Sequence, residues 1–442
     1  MRISVENETV RAKLEEVRRI YPWYGKLMDT SGSGEPKIPL LTAERLSDYY
    51  DRADGASNPE WNVYRTSGTS GGRRKAIYYD AIDETHYVMQ KVALFGKLLA
   101  GVDGIERVLS DMGTGHAEAT AKPIFEQLGY ECESIPFGLP AAAHLIRIEQ
   151  YQPDVLYTMP SLLDGLFRAA PVSFAWGLKK IILVGEPAPP EWRKRAAERI
   201  GIAAEDIVDT YGSIEIGTIA YYDAASGRYV LLEGLLAEGV QPQEIGLPDI
   251  ALPEGEQVLA LTSLHRRRFP ALRYVTYDVV RDLRTEENEN GETLTTFAAI
   301  VKRIGPELKH GEKISVYDVE NAVFKHIGQA EVRVQVSGNR LQVQIATVDE
   351  VDAVTAAAVR AELQGAIPEI GAMIRGGMLQ EMQVDFIFSG LGTARSGVLT
   401  AEQRLPVTAQ ASVPMKRKKL YLSDESENGS GKGKRIDRSG LQ

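Results

Sequence analysis

Residues 179–201 read KKIILVGEPAPPEWRKRAAERIG, and two rhythms inside them decide the fold. KKIILVGE is a short apolar run that reads as a strand, and PEWRKRAAERIG is a helical stretch closed by glycine. The alternation continues outward. ERVLSDM, YECESIPF and PDVLYTMP read as strands, with KPIFEQLG and AAHLIRIEQ as the helices among them. Strands alternating with helices imply an α/β domain built on a substantially parallel sheet.

Farther from this centre the pattern changes. Residues 9–20 (TVRAKLEEVRRI) carry apolar side chains at helical spacing, and YPWYGKLM breaks that spacing at Pro22. Tyr21, Trp23 and Tyr24 read as core packing. Residues 226–300 shift to shorter β-rich segments (GRYVLLEG, GEQVLALTSL, ALRYVTYDVVRDL, ETLTTFAAI), as in a barrel or sheet appended to the α/β core. A second unit begins near residue 303: helix VYDVENAVFKHI, strand AEVRVQVS, a turn at GN, strand RLQVQIATV, helix VTAAAVRAELQGAI and strand MQVDFIFSG. This order suits a small α+β domain. The tail runs from basic MKRKKL through SDESENGSG to GKGKRIDRSGLQ, the composition of a mobile segment.

The chain has 442 residues, 43% hydrophobic and 25% charged, enough for two or three soluble globular domains. Its net charge of -10 gives no global electrostatic reason to bind nucleic acid or an anionic membrane surface. Any phosphate it holds must be met by local donors. One cysteine, Cys132, excludes an intrachain disulfide and a Cys-rich metal site. It reads as a small buried residue of a strand. No run approaches the ~20 apolar residues of a membrane span, and the expected location is the cytoplasm.

Residues 64–75, YRTSGTSGGRRK, are the first stretch with chemistry in it. Val63 and Tyr64 end a strand; Thr66, Ser67, Gly68, Thr69, Ser70, Gly71 and Gly72 then supply hydroxyls and unhindered backbone N–H groups. Glycines permit the positive φ angles that turn successive N–H groups inward around an anion. Arg73, Arg74 and Lys75 add cationic donors. The Gly-Lys-Ser/Thr ending of a Walker loop is missing, and so is GxGxxG. Alone, the stretch reads equally as a phosphate-holding loop or a surface turn. Three other stretches bear on the choice. VDTYGSIEIG (208–217) holds Tyr211, Gly212, Ser213, Ile214 and Glu215; ALRYVTYDVVRD (271–282) holds Tyr274, Thr276 and Asp278; residues 430–435 spell SGKxxR around Lys432.

In order and spacing these four stretches resemble the signatures of the adenylate-forming superfamily of acyl- and aryl-CoA synthetases, carrier-protein adenylation domains and luciferases. Within it, YPWYGKLM with IPLLTAERLSDYY, GEQVLALTSLHRRRFPALRYVTYDVVRD and the closing GKGKRIDR are similar to the phenylacetate–CoA ligase branch. The correspondence runs from about residue 15 to 347 and resumes in the tail, while roughly 390–428 has no counterpart. The resemblance implies a large N-terminal domain, 1–302, that binds ATP and an acid, and a mobile α+β domain, 303–442, that carries the catalytic lysine.

It also implies the chemistry. A carboxylate attacks the α-phosphorus of ATP to give an acyl adenylate, and a pantetheine thiol then displaces AMP. The 66–72 loop cradles the β- and γ-phosphates, Glu215 holds Mg²⁺, Asp278 accepts from the ribose hydroxyls, and Arg303 sits near ribose and phosphate. Gly185, Glu186 and Pro187 line the adenine site beside Tyr211 and the following Gly212 and Ser213. Lys432 stabilises the adenylation transition state, with Lys434 as the alternative. His116 falls where the acyl pocket begins, or is structural. Gly311 lets the pantetheine arm of coenzyme A or of a carrier protein pass.

Four positions depart from the family pattern. Ile214 stands in place of a threonine, so a hydroxyl contact to the α-phosphate is lost or comes from Ser213. Arg73-Arg74 replaces a Pro-Lys pair, Lys302 a glycine, and Gly305 a charged residue, where it could absorb rotation between two domain arrangements. Three functions stay in view: a ligase transferring an aryl or small acyl group to coenzyme A, an enzyme loading an acyl carrier protein (with MKRKKL as a docking stretch), and a nucleotide-binding protein without catalysis. A homodimer is common in this branch.

Overall fold

The computed structural model describes residues 7–29, 38–51, 59–65, 75–112, 116–136, 138–287, 291, 293–305, 315–337, 340–347, 349–366, 382–388 and 420–422. The chain opens with α1 (Glu8–Ile20), α2 (Pro22–Asp29) and α3 (Ser47–Asp51). Asn7 caps α1 by accepting from the Thr9 and Val10 amides. Pro22 ends the first helical run and then starts α2, where its missing N–H costs nothing. A hairpin follows, β1 (Asn62–Arg65) with β2 (Ala76–Tyr79), and then the long α4 (Ala81–Leu99), capped by Asp80.

The α/β core then runs β3 (Arg107–Ser110), α5 (His116–Gln127), β4 (Glu131–Ser134), α6 (Ala141–Tyr151), β5 (Val155–Thr158), α7 (Pro160–Ala169), β6 (Lys180–Val184), α8 (Pro190–Ile200) and β7 (Ile207–Ser213). The opening stretch is β6 and α8, and α8 ends at Gly201 with φ 88°, a conformation that favours glycine. The strands β7-β6-β5-β3-β4 are parallel. Cys132 lies buried on β4, and burial pushes its thiol up to about 12, so it packs and does not react. Trp23 and Tyr24 are buried together in the core that α1 and α2 help to close.

The β-rich stretch divides in two. β8 (Gly217–Asp223), β9 (Arg228–Leu231), β13 (Arg284–Glu287) and β14 (Thr293–Phe297) continue the main sheet antiparallel, giving nine strands in the order β13-β14-β9-β8-β7-β6-β5-β3-β4. Only β10 (Leu235–Val240), β11 (Glu256–Ser263), β12 (Tyr274–Arg281) and β15 (Ala299–Arg303) form the separate antiparallel sheet that was expected.

The C-terminal unit comprises α9 (Val316–Phe324), β16 (Ala330–Ser337), β17 (Arg340–Thr347), α10 (Ala353–Ala366), β18 (Gln383–Phe388) and β19 (Leu420–Leu422), with sheet order β18-β17-β16-β19. Its α9 packs on α8, and Val319, Val323 and Phe324 share one core with Trp192 and Ala196. Polar ties join the same surfaces: the Phe324 carbonyl accepts from Arg195 at 3.2 Å, and Arg168 pairs with Glu331 at 3.2 Å.

Candidate active site

Glu215 is buried on the turn between β7 and β8. Only glycine fits at 212, because a Cβ there would lie 2.7 Å from the Gly217 carbonyl oxygen. Ser213 closes the turn by accepting from the Ile216 amide at 3.2 Å. Two side chains from elsewhere then hold its carbonyls. The Tyr79 hydroxyl donates to Ile214 (2.8 Å), and Arg266 Nε donates to Glu215 (3.0 Å). Arg266 is buried, paired with Asp83, bonded to the Tyr78 carbonyl at 2.7 Å and centred 3.6 Å over the Tyr79 ring. Asp83 also accepts from the Arg267 and Arg268 amides, each at 2.8 Å. Helix α4, strand β2 and the 265–268 loop thus clamp the turn that presents Glu215.

The second acid sits on a bulge. Val258 and Ala260 of β11 face Val279 and Val275 of β12, so three residues of β12 oppose one of β11. Tyr277, at its centre, takes φ 63°, a strained value for a tyrosine, and its hydroxyl accepts from the Ala43 amide at 3.0 Å. The bulge presents Asp278, which accepts from the Tyr211 hydroxyl at 2.6 Å and lies 3.9 Å from Arg303 Nε. The Asp278 charge raises the Arg303 guanidinium above its ordinary value, and Tyr274, Glu215 and Tyr211 push the same way. Tyr211, Asp278 and Arg303 thus meet, and Glu215 lies near enough to act on the Arg303 charge, so three separate motifs converge here.

The 185–187 loop lies after β6. Gly185 has φ 86° and packs against Met159. The Glu186 carboxylate turns to the start of α7, accepting from the Ser161 amide (3.0 Å) and hydroxyl (2.9 Å), a favourable place for an anion. Asp209 fixes the end of the loop, accepting from the Ala188 amide at 3.0 Å and from the Tyr229 hydroxyl. Burial pushes the Asp209 carboxyl up to about 6. Pro187 follows Glu186 in this tied-down segment.

His116 begins α5 in a nest of tyrosines. Its ring stacks 3.8 Å from Tyr87 and lies 4.3 Å from both Tyr64 and Tyr79. Its Nε2 meets Glu84 at 2.8 Å, and Glu84 also accepts from Tyr64 (2.8 Å) and Asn62 (2.9 Å) on β1. Burial holds the His116 pKa below its ordinary value, with Glu84 opposing. Helix α4 thus grips the strand that leads into the 66–72 segment. The residues from Thr66 to Arg74, Gly311, Lys432, Lys434 and nearly all of the tail lie outside the described residues. Lys75, the first described residue after the loop, places its ammonium 4.8 Å over the Tyr50 ring.

Among the described residues no three His, Cys, Asp or Glu groups converge as a metal cage. Mg²⁺ that bridges phosphates needs only one or two protein carboxylates, and Glu215 is suited to that task.

Residues 309–388 match a family model described as the fumarate–diaminopropanoate ligase C-terminal domain. The structure superposes on 2-hydroxyisobutyryl-CoA ligase in the postadenylation state in complex with R3-HIB-AMP, with a TM-score of 0.67 and 17% identity, over 94% of this chain and 88% of that one. An open conformation of the same enzyme with 2-HIB-AMP and CoA gives a TM-score of 0.55 at 16% identity, over 93% of this chain and 90% of that one. A fumarate–(S)-2,3-diaminopropanoate ligase of Enterobacter agglomerans is 31% identical over 86% of this chain and 96% of its own length. The chain belongs to the adenylate-forming ligases.

Within the ligase, the structure adds residues that motif spacing does not single out. Arg266 and Asp83 hold the Glu215 turn, Glu84 ties β1 to α5, and Asp209 ties the 185–188 loop to β7. Lys91 is fully enclosed behind the tyrosine nest. The one visible sign was a lysine placed among Tyr87, Leu94 and Phe95 on the inward face of a helix. No helix among the described residues is long and apolar enough to cross a membrane.

Proposed function

We propose that the ligase uses ATP to activate a small dicarboxylic acid of the fumarate class as its acyl adenylate, and passes the acyl group to an amine of a diamino acid. The observation that carries this reading is the 31% identity spanning 96% of a ligase named for that pair of substrates. The match of residues 309–388 to the C-terminal domain of the same enzyme type supports it. In the first step a carboxylate oxygen bonds to the α-phosphorus and pyrophosphate leaves. In the second the amine nitrogen attacks the acyl carbonyl, AMP leaves with the bonding pair, the nitrogen loses its proton, and an amide results.

The chain's own residues fit the first step. Asp278, held on its bulge by Tyr211, accepts from the ribose hydroxyls, and the Tyr211 ring flanks the base beside Gly185, Glu186 and Pro187. Arg303, kept charged, faces the phosphates. Mg²⁺ held through Glu215 would neutralise phosphate charge. The 66–72 loop and Lys432 keep the roles that the family resemblance implies.

A second reading keeps the adenylate and changes the acceptor to a pantetheine thiol, of coenzyme A or of a carrier protein. What favours it is the KHGEKISVYDVE segment with Gly311. Pyrophosphate release with ATP, Mg²⁺ and a panel of acids, followed by mass spectrometry of products with (S)-2,3-diaminopropanoate or coenzyme A, separates the two. An amide product with fumarate is expected. A thioester without amide moves the acceptor to thiol, and an aryl acid outrunning every diacid overturns the choice of acid.

A further inference from the structure

Lys91 is an amine enclosed without a counter-charge, and burial lowers its pKa to about 7. Its Nζ donates to the Tyr157 hydroxyl at 2.7 Å and lies 4.9, 5.5 and 5.1 Å from the ring centroids of Tyr87, Phe95 and Tyr157. Among the described residues no carboxylate stands within ion-pairing distance of it. Burying an unpaired ammonium is costly, and a methionine or leucine would fill the same space more cheaply. A carboxylate that arrives with a ligand would favour the protonated amine and explain why an ionisable group is placed there.

Its place in the fold says which ligand. Tyr157 pairs with Ser110 at the carboxyl ends of the parallel strands β5 and β3, where open α/β sheets bind their substrates. Tyr87, one helical turn before Lys91, bridges to the reacting turn: its ring lies 3.1 Å from where a Cβ on Gly217 would stand, two residues beyond Glu215. The same ring stacks on His116. The Tyr87 ring thus joins the Lys91 cage on one side to the turn carrying Glu215 on the other. Tyr157, having accepted from Lys91, keeps its own hydroxyl hydrogen to donate, so ammonium and phenol together offer donors to a carboxylate.

We propose that Lys91, with Tyr157, holds the second, non-reacting carboxylate of a dicarboxylic acid while the first is adenylated. The proposal rests on the reading of the ligase as a dicarboxylate-activating enzyme and adds the residues that choose the diacid. A monocarboxylic acid of equal length would press a methyl group against the ammonium and leave it unpaired. Sites built for a polar group reject the analogue lacking it by large factors, here about a hundredfold or more.

The test measures pyrophosphate release with fumarate and with crotonate, in which methyl replaces the second carboxylate. The wild-type enzyme should favour fumarate by ~100-fold in kcat/KM. Lys91→Met should lose most of that preference through a raised KM for fumarate, with crotonate unchanged or improved. Its melting temperature should equal or exceed that of wild type, since a buried amine without a counter-charge is gone. Tyr157→Phe, which keeps the lysine, should weaken fumarate selectively by about tenfold, and it serves should Lys91→Met not fold. Undiminished preference for fumarate in either folded variant overturns the proposal. Wild-type turnover of monocarboxylic acids alone would instead overturn the dicarboxylate reading itself.

Discussion

Asp111 shows what burial does to one residue. It directly follows β3, fully enclosed, with neither carboxyl oxygen in good hydrogen-bonding geometry among the described residues, and burial pushes its pKa up to about 7. His144 Nδ1 lies 3.8 Å away, and burial lowers its pKa, so just below the Asp111 titration both members of the pair are mostly neutral. A folded pKa above the unfolded one means that the native state keeps a proton the unfolded chain has lost. Stability is then full below the ordinary carboxylate range and falls as pH rises toward 7, by ~4 kcal/mol at most. Asp111→Asn should therefore be more stable than wild type to urea at pH 8 and gain nothing at pH 4; an equal effect at both pH values would refute the assignment. Nothing in LSDM announces this charge state. It depends on residues near 136–144 and 158 that only the folded chain brings to β3. Lys91 was no more legible, because lysines inside apolar stripes usually reach out to water.

At the scale of elements, the 265–268 loop depends on a single arginine of three in a row. Motif spacing identified the surrounding segment but could not tell which of Arg266, Arg267 and Arg268 turns inward, since a tight loop and not a helical or strand period sets their directions. Arg266 turns inward to Asp83 and the Glu215 carbonyl, while Arg268 goes to Asp80 at 2.8 Å. Arg266→Met leaves Asp83 buried and uncompensated, an expected loss of ~3–5 kcal/mol in a denaturant titration. Adding Asp83→Asn should restore part of that loss, and a double variant no better than the single one would mean the pair is not coupled. The bulge at 276–278 was hidden for a related reason. ALRYVTYDVV alternates well enough to be a regular strand, and only its pairing with β11 exposes the irregularity.

For the whole molecule, the helix–strand order of both units was legible because those periodicities are local. The extension of the main sheet was not: β14 pairs with β9, more than sixty residues earlier, and no local pattern encodes such a distance. The two units meet through the α8–α9 core and through Arg281, which joins Glu256 at 2.8 Å and Asp318 at 2.9 Å. Asp318→Asn should loosen that joint by ~1 kcal/mol, seen as severalfold faster limited proteolysis than wild type at low salt, a difference that high salt narrows by screening the wild-type pair. Unchanged cleavage would mean that apolar contact alone holds the units together.

One ladder pairing in the second sheet has a mechanical consequence. Asp278 on β12 and Arg303 at the end of β15 are direct partners, and the chain leaves that rung for the C-terminal unit. A torque on that unit is delivered first to the rung that, on the proposed function, binds the ribose. On that reading, nucleotide occupancy and the orientation of the smaller unit become one variable read at two ends of the same axle.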